Sequence, residues 1–158
     1  MPFFLKDDED AMRAALAEAQ KALEEGEVPV GCVIVHEGAV IGRGHNQVER
    51  MRDATAHAEI VAIGAASTAL DSWRLSECTL VVTLEPCAMC AGAIVLGRGG
   101  RVVYGALDPK AGACGSVLNV IDEPALNHAP AVTSGVLAEE AGALLTAFFE
   151  HKRRAAAH

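Results

Sequence analysis

Apolar residues recur at helical spacing from Asp7 to Glu25, where Met12, Leu16, Ala19 and Leu23 form one stripe, acids crowd the start and Gly26 follows the end. That pattern predicts a first helix. From Val28 to Val35 and from Ala39 to Gly44 it changes to β-branched runs joined by His36-Glu37-Gly38, which predicts a hairpin. A polar loop leads to Ala56–Ser67, again helical, with Ile60, Ile63 and Gly64 on its inward face. Thr79–Thr83 reads as a short buried strand, and Pro86 suits the first position of a helix running through Ala91, Ile94 and Val95. Arg101–Tyr104 is the next strand, Gly105–Gly115 a glycine-rich loop, Ala131–Ser134 one more short strand and Leu137–Arg153 a closing helix. Strands alternating with helices predict a layered α/β domain, its sheet antiparallel at the opening hairpin and parallel where helices provide the crossover.

Composition narrows this picture. At 158 residues and 51% hydrophobic content the chain supports one good core. It reads as a single domain over residues 1–154, with residues 155–158 a disordered tail. No apolar run reaches the length of a membrane span, and the charge order of the first eight residues is wrong for a signal peptide, so a cytoplasmic protein is expected. Cys32, Cys78 and Cys114 lie in apolar or glycine-rich surroundings without paired spacing and read as reduced packing residues. The formal charge of −8 requires any contact with a polyanion to be local. Basic residues gather at Arg98 and Arg101, at Lys110 and at Lys152-Arg153-Arg154.

Two short motifs carry chemistry. His57-Ala58-Glu59 falls in the first turn of one predicted helix, and Pro86-Cys87-Ala88-Met89-Cys90 opens another. Alone, the cysteine pair fits a redox couple, half of a structural zinc knuckle or two buried thiols. Together, His57, Cys87 and Cys90 supply one imidazole and two thiolates, and the helix starts favour ionised sulfur. Three protein ligands leave a fourth tetrahedral position for water, whose pKa zinc can lower to about 7. Glu59 is placed to move protons without being a ligand. The combination is the signature of zinc nucleobase deaminases.

The chain resembles the bacterial tRNA-specific adenosine deaminases of the cytidine deaminase-like superfamily. The resemblance runs through Glu27-Val28-Pro29-Val30-Gly31, Gly44-His45-Asn46, Thr55-Ala56-His57-Ala58-Glu59, Trp73-Arg74-Leu75, residues 83–93, Val102-Val103-Tyr104-Gly105-Ala106, Asp108-Pro109-Lys110, Leu126-Asn127-His128 and Phe148-Phe149. It implies a three-layer α/β/α fold with a central mixed sheet of about five strands. It further implies one zinc ion per subunit, a homodimer, and hydrolytic conversion of adenosine to inosine at the wobble position of a tRNA anticodon, with an arginine tRNA as substrate. Glu59 is then the catalytic proton carrier, and Asn46 reads the purine edge, where a turn-forming role after Gly44 is the alternative. Val30, Ala58, Asp108, Lys110, Asn127, His128 and Phe149 become substrate contacts in the anticodon stem-loop complex.

Two departures stand out. Ala54 replaces the family's usual proline and should loosen the loop entering the active-site helix, and Leu96-Gly97-Arg98-Gly99-Gly100 is richer in glycine than expected. The nearest alternative function is a zinc deaminase of a free base or nucleoside of guanine or cytosine type. A noncatalytic zinc-containing RNA-binding partner subunit is another, though it gives no purpose to Glu59.

Overall fold

The computed structural model describes residues 4–157. Helix α1 (Asp8–Glu24) precedes the hairpin β1 (Gly31–His36) and β2 (Ala39–His45). A four-residue helix α2 (Val48–Met51) and helix α3 (Ala58–Leu70) lead to β3 (Cys78–Leu84), α4 (Ala88–Leu96) and β4 (Arg101–Ala106). A long loop containing one 3-10 turn (Val120–Asp122), strand β5 (Ala131–Thr133) and helix α5 (Ala138–Ala156) complete the chain. The strand order is β2-β1-β3-β4-β5. β1 is antiparallel to both β2 and β3, whereas β3, β4 and β5 run parallel, so the expected mixed five-stranded sheet is present.

Alternation along the central strands creates the layers. Val33, Val81 and Val103 face Ala11, Met12 and Ala15 of α1 on one side. Cys32, Ile34, Leu80, Val82, Val102 and Tyr104 face Ala58, Ala62 and Ala66 of α3 and Ala91, Ile94 and Val95 of α4 on the other. Two successive side chains of a strand point to opposite faces, so a run with apolar residues at both phases must be covered twice.

Some boundaries differ from the sequence pattern. Asp7 caps α1 from outside, its side chain accepting from Asp10 N at 2.9 Å. Pro86 lies outside α4 because Cys87 is still extended (φ −76°, ψ 177°) and caps it. His57 likewise caps α3 (φ −76°, ψ 154°) instead of lying within its first turn. The inward face of α3 is Ala58, Glu59, Ala62 and Ala66, while Ile60 and Ile63 are half-buried and Gly64 is exposed. Helix α5 continues to Ala156, past the expected end at Arg153. Alanine has the highest helix propensity, and Arg153 and Arg154 complement the last turn. His158 lies outside the described residues.

Candidate active site

The C-terminal ends of β2, β3 and β4 lie at one end of the sheet, where the N-termini of α3 and α4 also meet. His57, the N-cap of α3, and Cys87, the N-cap of α4, are brought together there, with Cys90 three residues into the second helix. His57 Nδ1 is 3.6 Å from Cys87 Sγ and 3.5 Å from Cys90 Sγ, and all three ligand atoms lie within 4.8 Å of one another. A tetrahedral zinc with Zn–S of about 2.3 Å and Zn–N of about 2.0–2.1 Å separates nitrogen from sulfur by about 3.6 Å. The donor set therefore fits zinc in chemistry and in spacing.

The electrostatics agree. Hydrogen bonding from Cys90 and then from His57 draws the Cys87 thiol down to about 3. Sharing with Cys87 and burial push Cys90 upward, and the bond to Cys87 raises His57. A divalent cation would join these groups as two thiolates and a neutral imidazole.

Glu59 lies beside this set at 4% exposure, and its carboxyl is raised above the ordinary range, foremost by burial. His57, Glu59 and Cys87 line a cavity of about 550 Å³. Of the other expected substrate contacts, Val30, Asn46, Ala58, Asp108 and Phe149 line the same cavity. Phe148 packs inward at 8% exposure while Phe149, edge-on to it at 5.2 Å, remains 45% exposed. Lys110, Asn127 and His128 are not among the lining residues. Lys110 is exposed on the loop that carries Asp108, whereas His128 is half-buried with Nε2 2.6 Å from the Gly99 carbonyl oxygen.

Several lining residues have no site role assigned from the sequence: Glu27, Glu49, Leu84, Glu85 and Ala111, while the sequence marks Lys152 only as part of a basic cluster. Glu27 accepts from Glu49 N (2.9 Å) and Arg50 N (3.1 Å), and so caps α2 from a distant segment. Glu85 accepts from the amides of Asp108, Cys114 and Ser116. Burial alone would raise its pKa, but the bonds from Ser116 and these amides leave it lowered. A lone acid at the end of the apolar run Thr79–Leu84 was the available sign.

The two departures also find an explanation. Asp53 Oδ1 accepts from Thr55 N (2.8 Å) and Thr55 Oγ1 (2.7 Å), so the segment around Ala54 is braced by Asp53. Arg98 takes a left-handed conformation (φ 59°) and donates to the carbonyl of Val95 at 3.0 Å, closing the end of α4.

The family profile described as the cytidine and deoxycytidylate deaminase zinc-binding region matches residues 5–106. The tRNA-specific adenosine deaminase of Bacillus subtilis is 51% identical over 147 residues, which span 93% of this chain and 91% of that protein. A solved tRNA:A34 deaminase, studied for A-to-I editing at the wobble position of transfer RNA, is 47% identical. It superposes with a TM-score of 0.83 over 85% of this chain and 98% of its own. A guanine deaminase from Nitrosomonas europaea is 27% identical, with a TM-score of 0.82 over 94% of this chain and 87% of its own.

Proposed function

Because the chain belongs to the zinc-binding cytidine and deoxycytidylate deaminase family, and within it to the tRNA-specific adenosine deaminases, we propose that it converts adenosine to inosine at the wobble position of a tRNA anticodon. An arginine tRNA is the proposed substrate, and the working form a cytoplasmic homodimer with one zinc ion per subunit. Among the described residues no helix is long and apolar enough to cross a membrane. Leu96, Val117 and Leu118 expose large apolar side chains that a second copy can cover.

The observation that carries this reading is the buried Glu59 beside a histidine and two cysteines at zinc spacing, in a cavity large enough for a nucleoside. His57, Cys87 and Cys90 would hold the ion, which when bound supplies a Lewis acid and a water ionisable near neutral pH. Glu59 accepts a proton from the attacking water and delivers it to the adenine ring nitrogen, then takes the remaining proton from the new C6 hydroxyl and passes it to the amine, which departs as ammonia while the C6 carbonyl forms. Burial raises its affinity for a proton, as a group that both takes and returns one requires. Asn46 offers a donor and an acceptor to the purine edge, with Val30 and Ala58 as the apolar wall. Phe149 stacks on a neighbouring base, and Asp108, Lys110, Asn127 and His128 contact the anticodon loop.

Zinc-loaded protein incubated with an anticodon stem-loop carrying a wobble adenosine should yield inosine by mass spectrometry of its nucleosides. Ammonia release from guanine or cytidine, with the stem-loop untouched, would transfer the protein to the free-base deaminases.

A further inference from the structure

Glu85 directly follows β3, at 2% exposure, and lines the cavity. Its carboxylate accepts from Asp108 N (3.1 Å), Cys114 N (3.0 Å), Ser116 N (3.1 Å) and the Ser116 hydroxyl. A carboxylate offers about four lone-pair sites, so these donors fill it and leave none to exchange protons with substrate. The donors come from both ends of one irregular segment that contains no strand or α-helix. Within that segment Asp108 Oδ1 accepts from Lys110 N and Ala111 N at 3.0 and 3.2 Å, so the Asp108 side chain is itself part of the turn. Gly112 is pressed against the carboxylate. A Cβ there would stand 2.4 Å from Glu85 Cδ and 2.6 Å from the Asp108 carbonyl oxygen. The loop is thus wound around Glu85, and it presents Asp108 and Ala111 to the cavity.

We infer that Glu85 is a positioning residue: it fixes the 108–116 loop as the wall that receives the RNA around the reacting base, while the chemistry is performed elsewhere. The inference rests on the stem-loop deaminase reading above. A glutamine of the same shape keeps one acceptor oxygen and turns N–H donors toward the loop amides, so buried donors lose their partners.

Steady-state kinetics on the stem-loop would compare the wild type with Glu85→Gln and Ser116→Ala, alongside zinc content and amide hydrogen exchange. Ser116 is exposed, so its variant keeps the fold even where Glu85→Gln does not. KM should rise about tenfold in Glu85→Gln and about threefold in Ser116→Ala, with kcat within about twofold, the pattern of lost binding common to ground and transition states. Zinc content should stay at the wild-type level, and the Cys114 and Ser116 amides should exchange faster in Glu85→Gln. Wild-type KM in both variants, or a fall in kcat or zinc at unchanged KM, overturns the inference. If the wild type itself leaves the stem-loop untouched, the functional reading fails instead, and amide exchange alone then decides whether Glu85 holds the loop.

Discussion

A buried carboxyl group costs free energy unless its charge is paired or used, and this chain buries Glu18, Glu27, Glu59 and Glu85. Glu18 meets Lys21 at 2.9 Å and His45 at 3.5 Å, while Glu27 and Glu85 collect backbone amides. Glu59 instead borders the metal-ligand set, where burial dominates its environment. Replacing Glu59 by Gln should therefore preserve zinc content and thermal midpoint while turnover falls by about 10²–10⁴-fold, the usual contribution of general acid–base catalysis. Near-wild-type turnover in a zinc-replete variant would remove Glu59 from the proton path. Chelation should act on both properties: stripping zinc should abolish activity and lower the midpoint, since an ion that binds only the folded state at 100 times its Kd contributes about 2.7 kcal/mol. The histidine, the cysteines and Glu59 were legible in the sequence because each motif is local and marks a helix start. Glu27 and Glu85 were not, because their partners lie 22 to 31 residues away and only the fold brings them close.

Helices and strands were readable from periodicity, but the packing distance between them was not. The N-terminal helix and α3 present alanines to the sheet, and the sheet answers with glycine: a Cβ on Gly31 would stand 2.0 Å from the Ala15 carbonyl oxygen, and one on Gly44 would stand 2.3 Å from that of Ala58. This close approach explains why Ile60 and Ile63, the larger residues, were displaced from the expected inward face of α3 by Ala58, Ala62 and Ala66. The short helix α2 escaped notice because it has four residues and no side-chain cap of its own. Gly44→Ala should cost about 3 kcal/mol or more, measured as a lowered urea midpoint, because backbone must move to admit the methyl. Ala58 separates His57 from Glu59, so the same variant should also lose zinc affinity. A milder effect belongs to the ion pair that ties α1 to β4, where Arg101 donates to Asp8 at 2.8 and 2.6 Å. The Arg101 hydrogen bond lowers the Asp8 pKa below 3.8. Its contribution is therefore complete above that unfolded value and lost as pH falls through the lower folded one. Both side chains are 36% exposed, so the pair contributes only about 0.5 kcal/mol after screening. Asp8→Asn should reduce stability by about that amount at pH 7 and match the wild type once the acid limit is reached. An equal difference at both pH values would show that the contact, not the charge, matters.

At the scale of the whole molecule, a chain of net charge −8 must hold a polyanion with the few cations that are free to face it. Arg101 is committed to Asp8, Arg98 closes α4, and Arg50 pairs with Glu25 at 2.8 Å. Among the described residues Lys110, Lys152, Arg153 and Arg154 form no ion pair within 4.0 Å, and Lys152 lines the cavity. Lys152 also lies over the Phe148 ring at 5.5 Å, which fixes its stem beside exposed Phe149. Of the described residues Lys6, Arg52 and Arg74 are also without an ion pair, but four phosphate contacts, from Lys110 and the Lys152-Arg153-Arg154 cluster, give a shallow salt dependence, since each releases about 0.7 counterion from a single-stranded loop. A log–log plot of stem-loop affinity against salt should thus have a slope no steeper than about −3, and Lys152→Gln should flatten it by about 0.7 while leaving zinc content unchanged. A steeper slope would mean that the binding surface includes cations beyond this set, as a groove shared by two subunits would provide. An unchanged slope in Lys152→Gln would remove that lysine from the phosphate contacts and leave the cavity to recognise the base by shape and hydrogen bonding alone.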